Sequence, residues 1–301
     1  MGHPTTSNPV AAPPIKVDRA WIGAPARTIT NPTVWLAAAT VTLFAIGTTA
    51  YLRGLWSAPS VIAVHALATY LGFTVLHEAM HGIAHPSRRV NAALGRFGAL
   101  PLLISFPLFR GVHYEHHSHT NDVARDPDLI VARAPRWLLP VWLLGVTVEY
   151  RVKYFGHRLW RTRAELAETL AMEGFVLGAV VLATLTGHLA TLCVLWIAPA
   201  LIAFVWLAFA FDFLPHYPYD SGTRYYDTRA YPGRVLNVAL LGQNYHLIHH
   251  LWTTVPWYRY QGVFRAIRPQ LEARHARIGF GAAPLPVGVS RLEMASGLVA
   301  D

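Results

Sequence analysis

Three histidine clusters carry the chemistry that can be read from this chain. The first is His77-Glu-Ala-Met-His81. Taken alone it is the H-E-x-x-H signature of a zinc protease, with two imidazoles one helical turn apart and a glutamate as general base. The second is His113-Tyr-Glu-His116-His117, and the third is His246-Leu-Ile-His249-His250, both of the form H-x-x-H-H. On a helix the leading histidine of such a triplet shares a face with its neighbours at i+3 and i+4. The adjacent pair diverges by about 100°, so one segment can reach two metal positions. A catalytic zinc takes about three protein ligands, and eight clustered histidines exceed that need. They suit two imidazole-bound transition metals side by side, with iron the redox-active candidate. A zinc metalloprotease would leave both triplets unexplained. A non-catalytic membrane metal or haem carrier is the third class to be tested. The single cysteine, Cys193, lies in an apolar run, which leaves no thiolate cage and no disulfide framework.

Long apolar segments must position these clusters. The 301 residues are 53% apolar and only 14% charged, too greasy for an ordinary soluble domain. Residues 33–52 carry no charge and are long enough to cross a bilayer core of about 30 Å. A second span, 59–76, runs directly into His77. Residues 174–211 form an uncharged run that would extend about 57 Å as one helix, roughly twice the membrane. The run must fold back, and Thr186-Gly187-His188 is the expected turn. The predicted fold is therefore an all-α integral membrane protein with four transmembrane helices in two hairpins and a cytoplasmic histidine-rich cap. Residues 92–109 and 137–148, apolar but broken or flanked by prolines and arginines, are expected to be interfacial or re-entrant helices. Residues 1–32, rich in proline, are expected to be a flexible N-terminal arm. The membrane domain then spans 33–278 and a C-terminal tail 279–301.

Of the 25 lysines and arginines, only Arg53 falls on the side opposite the histidine clusters. The positive-inside bias therefore puts every cluster on the cytoplasmic side of the membrane. The net charge of +9 reflects this topology and not nucleic-acid binding, because lysine is confined to Lys16 and Lys153 and the arginines are dispersed.

Four stretches extend the histidine pattern: HHSHTNDVARDPD (116–128), FDFLPHYPYD (211–220), YPGRVLNVALLGQNYHLIHHLW (231–252) and VPWYRY (255–260). Over roughly residues 60 to 270 the chain resembles the membrane fatty-acid desaturase and hydroxylase superfamily, and within it the bacterial desaturase-like β-carotene hydroxylases. The resemblance implies two Fe2+ ions held by nine histidines. Carried onto this sequence, these are His77, His81, His113, His116, His117, His246, His249 and His250, with His216 of LPHYP as the ninth. It also implies an O2-dependent hydroxylation of a carotenoid ring, expected at C3 of β-carotene to give zeaxanthin, with electrons from a ferredoxin-like donor. A carotenoid ketolase or an acyl-lipid desaturase would use the same centre. Glu78 lies about 100° from His77 around the helix, so it need not face the metals.

Further polar residues are candidates for orienting the ligand imidazoles or a metal-bound water. His85 would continue the 77/81 face by one turn. Asp126 and Asp128 follow the second cluster, and a carboxylate there can fix an imidazole tautomer. Asp212 and Asn244 stand beside ligand positions. His65, about 18 Å along the helix before His77, reads as a satisfied polar group inside the membrane.

Overall fold

The computed structural model describes residues 15–133 and 135–281. Among these residues there are helices and turns and no strand, only one backbone bridge between Ala230 and Ile278.

The first hairpin is α1 (Pro32–Leu52) and α2 (Ala58–Met80). Asn31 caps α1 by accepting from Thr33 N at 3.0 Å, with Pro32 at the first helical position. The same buried Asn31 donates from Nδ2 to Ala84 O at 2.8 Å, which ties the start of α1 to the chain just beyond α2. The two spans are thereby held in register at the end that bears His77 and His81.

Next come α3 (Arg88–Ala99) and α4 (Phe106–Ser118), bent by 93° at the break between them. The apolar stretch 92–109, expected to be interfacial or re-entrant, is the vertex of this bend. α3 lies almost backbone to backbone on α2. A Cβ added at Gly98 would fall 2.5 Å from Gly72 O and 2.7 Å from Leu76 N, so only glycine permits the approach one turn before His77. α5 (Leu139–Gly156) covers the second apolar stretch.

The second hairpin is α6 (Arg163–Leu185) and α7 (Leu189–His216), turning at Gly187 with φ +75° where the turn was expected. Among the described residues four helices are thus long and apolar enough to cross a membrane, or five if the bent pair counts as one span. α7 widens into π-type turns at Cys193–Ile197 and Ala208–Phe213. The second immediately precedes His216; such turns shift the helical face and often occur where a site needs it. The buried share of the apolar window is 56% in α2 and 6% in α6, which makes α2 the central post and α6 a lipid-facing wall. His65, inside α2, places Nδ1 2.8 Å from Leu195 O of α7.

Two hydrophobic cores result. One surrounds the membrane face of the histidines and includes Phe73, Leu76, Phe106, Phe109 and Phe211. The other packs the helix His246–Leu251 against the helix Tyr260–Glu272 through Leu247, Ile248, Val263 and Phe264. Residues 15–23, part of the segment expected to be a flexible arm, lie on this second core. Ile15 is buried in it, and Gly23 N donates to Thr254 O at 2.9 Å. Residues 1–14 of that arm and 282–301 of the tail lie outside the described residues.

Candidate metal centre

Each histidine cluster reaches the site by a different local device. α2 ends at Met80 with His81 as its cap, and Gly82, at φ +76°, turns the chain away. His77 and His81 therefore stand on the last turn. α4 carries His113, His116 and His117, α7 ends on His216, and the short helix carries His246, His249 and His250.

All nine imidazoles converge. The ligand atoms of His77, His81, His113 and His249 lie within 4.8 Å of one another, and so do those of His116, His216, His246 and His250. His117 stands between the two groups, its Nε2 3.0 Å from His113 Nε2 and 2.9 Å from His249 Nε2. His250 Nε2 is 3.3 Å from His116 Nε2 and 3.2 Å from His246 Nε2. Metal–imidazole bonds near 2.0–2.1 Å place neighbouring ligand atoms roughly 2.9–3.4 Å apart, so these separations match the edges of a coordination shell.

The donor chemistry fits a cation as well. Both ring nitrogens of His77, Nε2 of His81, and Nδ1 of His216 and His246 are buried without a hydrogen-bond partner among the described residues. Such groups are costly unless something pairs with them. Burial first, then the neighbouring imidazoles, hold His81, His246, His249 and His250 well below the ordinary histidine range. They are neutral, the state in which an imidazole lone pair binds a metal.

Carboxylates and a phenol orient the rings from outside. His116 Nδ1 lies 2.9 Å from Asp126 Oδ1 and 3.2 Å from Asp128 Oδ2. Burial disfavours a charged His116, but the two aspartates outweigh it and lift its pKa to about 10. The same pair would strengthen Nε2 as a donor once Nδ1–H is given to a carboxylate. Tyr150 donates its hydroxyl to Asp128 Oδ1 at 2.8 Å, and Asp126 Oδ2 accepts from Asn121 N at 2.7 Å. Asp227 Oδ2 is 3.4 Å from His250 Nδ1, and the Tyr260 hydroxyl is 3.0 Å from His249 Nδ1.

Asp126 and Asp128, candidates from the sequence, both contact the His116 ring. Asp212 lines the cavity beside His116 and Asp128. Asn244 commits Nδ2 to Tyr231 O at 2.8 Å, and its buried Oδ1 has no partner among the described residues. His85 is corrected. Because Gly82 ends the helical path, residue 85 does not extend the 77/81 face; its Nε2 lies 3.0 Å from Thr28 Oγ1 and its Nδ1 accepts from Ser87 N at 3.0 Å. Asp227, Tyr150 and Tyr260 were not foreseen, since no spacing rule links them to the rings they touch. Glu78 is fully buried, with Oε1 accepting from Trp257 N at 3.3 Å, which turns that oxygen toward the C-terminal segment.

On the membrane side an apolar cavity opens from the histidines, walled by Phe73, Phe109, Val146, Leu207 and Phe211. Buried histidines facing such a cavity from helical spans define a membrane oxygenase architecture. Residues 53–282 match the fatty acid desaturase family, and the chain belongs to that family, as an enzyme of the membrane di-iron oxygenase type. The match takes in all three clusters, including the two triplets that the protease reading left unexplained.

Among its relatives are a β-carotene ketolase of a Paracoccus strain, 31% identical over 64% of this chain and 77% of the relative, and a zeaxanthin 4-ketolase of Chlamydomonas reinhardtii, 27% identical over 73% and 51%. An sn-1 acyl-lipid omega-3 desaturase (ferredoxin) of Synechocystis is 24% identical over 74% and 70%. The chain thus spans about half the length of the algal ketolase.

Proposed function

We propose that the protein oxidises the ring of a carotenoid with O2, using two irons held by the nine converging histidines. The observation that carries the reading is the pair of four-imidazole groups, bridged by His117, at the end of an apolar cavity. His77, His81, His113 and His249 would hold one ion, and His116, His216, His246 and His250 the other. When bound, such a pair supplies the activation of O2 that breaks an unactivated C–H bond.

The protein's own contribution is neutrality, rigidity and dryness. Burial keeps His81, His246, His249 and His250 neutral, so each ring offers one nitrogen lone pair. Asp126, Asp128, Asp227 and Tyr260 fix ring orientation through Nδ1. Phe73, Phe109 and Phe211 wall the cavity with rings and keep water from a reactive site. Each oxidation turns C–H into C–OH with consumption of O2, two electrons and two protons and release of one water. A ferredoxin-class carrier on the cytoplasmic side of a bacterial inner membrane would supply the electrons, in keeping with the positive-inside bias and with the ferredoxin in one relative's name.

The resemblance pointed to hydroxylation at C3. The names of the relatives favour ketolation, in which a second oxidation at the same carbon gives a gem-diol that loses water. We therefore favour the ketolase reading, and C3 hydroxylation to zeaxanthin is the second. Expression in cells that make β-carotene tests both. Keto products are expected, zeaxanthin would restore the hydroxylase reading, and unchanged pigment with altered acyl lipids would overturn the carotenoid reading.

A further inference from the structure

We propose that the groove between the bent pair α3–α4 and α6 is the lateral port through which an elongated, uncharged apolar substrate passes from the bilayer to the metal centre, with Ile104 as its gate. This rests on the lipid-soluble substrate of the preceding reading. The groove has a volume of about 460 Å3 and is lined by Leu100, Phe106, Ala171, Met172 and Phe175 as well as Ile104. Ile104 lines both this groove and the cavity at the histidines, and it is only 1% exposed. One aliphatic side chain therefore separates the lipid-facing groove from the site.

Everything around that side chain is tied down by polar contacts. Leu103, at φ 59°, gives its carbonyl to Arg151 Nη2 at 2.9 Å, and Arg151 is itself paired with Glu173 of α6 at 2.9 Å. Ser105 Oγ lies 2.8 Å from Thr169 Oγ1, which in turn lies 3.2 Å from the Tyr154 hydroxyl. Across the rim, Arg96 meets Glu168 through two contacts, Nε–Oε1 at 2.9 Å and Nη2–Oε2 at 2.6 Å. These contacts hold the chain on both sides of Ile104, so passage is assigned to a change in the Ile104 rotamer.

The occupant follows from the lining. Ala171, Met172 and Phe175 belong to α6, the span that buries least of itself in the protein, so the groove faces acyl chains. Arg96 and Glu168 neutralise each other, so the mouth offers no unpaired charge to a headgroup. Ile104, shared by the groove and the cavity, is the point at which an elongated molecule would pass from one to the other.

The iron-loaded, full-length protein in vesicles with graded β-carotene content tests the proposal. Met172→Trp narrows the groove without touching the cavity. It should raise the substrate fraction for half-maximal rate about tenfold, the equivalent of roughly 1.4 kcal/mol of lost binding, with the maximum rate unchanged. Ile104→Trp should stop turnover while retaining its irons, and Ile104→Ala should lower the half-maximal fraction. A wild-type substrate dependence in Met172→Trp would overturn the port. As a readout independent of turnover, Phe175→Cys in a Cys193→Ser background carries a thiol-linked fluorophore at the rim. Added β-carotene should quench it, and no quenching would overturn the port. Quenching without turnover in the wild type would instead refute the carotenoid-oxidation reading and leave the groove assignment standing.

Discussion

Replacing Tyr260 with phenylalanine removes one hydroxyl and keeps the ring that packs the C-terminal core. That hydroxyl is 3.0 Å from His249 Nδ1, and Tyr260 is fully buried, so no water stands ready to replace it. Two costs follow. The Nδ1–H loses its partner in a dry site, which costs about 1–3 kcal/mol of folding stability. The imidazole loses the contact that fixes its orientation and basicity, which typically weakens metal binding about 10–100-fold, or roughly 1.4–2.7 kcal/mol. His249 belongs to the group with His77, His81 and His113, whereas the group around His116 is oriented by Asp126, Asp128 and Asp227. One iron should therefore leave the variant at chelator concentrations that spare the other. The assay is iron per chain, with the spectrum of the retained ion, after dialysis of full-length protein against graded chelator. Tyr258→Phe is the matched control, because its hydroxyl is buried without a partner and its removal should leave both irons in place. Loss of both irons together from Tyr260→Phe, or of neither, would refute the division into two groups and the role of the phenol.

Other expectations follow from the same contacts. Glu78→Gln should keep both irons and substantial activity, and Glu78→Ala should cost about 1–3 kcal/mol by stranding Trp257 N, seen as earlier thermal unfolding; loss of all turnover with irons retained would contradict this. His85→Ala should keep full iron content, since its ring bonds to Thr28 and Ser87; metal loss on chelator titration would return it to the site. Gly98→Ala should push α3 from α2 and destabilise the protein by about 1–3 kcal/mol, with lower iron occupancy by metal analysis; an unshifted unfolding midpoint would refute the close approach. In metal-free protein His81, His246, His249 and His250 stay neutral when folded but protonate when unfolded. Stability should therefore be full above about pH 6.5 and fall below it by about 1.4 kcal/mol per pH unit for each ring, measured by denaturation across pH; stability that holds or rises on acidification would refute their neutrality.

The spans were legible because lipid leaves a long, unambiguous signature: uncharged runs, a Gly187 turn and one-sided arginines. The histidine clusters were legible because i, i+3 and i+4 spacing survives in the sequence. His216 was found only through the LPHYP resemblance, since a lone histidine at the end of a span carries no spacing signal. Asp227 and Tyr260 were missed for the same reason. Their contacts join segments separated by loops, and those pairings exist only once the helices pack. The 93° bend at Leu100–Ser105 was also invisible in detail, because the prolines break the helix without setting its angle. His85 misled because periodicity was extended past Gly82, where the helix stops.

The bridging position of His117 bears on how the protein is made. Ligands come from residues 77 through 250, so neither four-imidazole group exists until the last cluster has emerged and folded back beneath both hairpins. On the di-iron reading proposed above, metal capture is then the closing event of biogenesis. It favours the assembled chain over partly inserted forms by mass action, and a polypeptide stalled before His246 lacks one imidazole of the first group and two of the second.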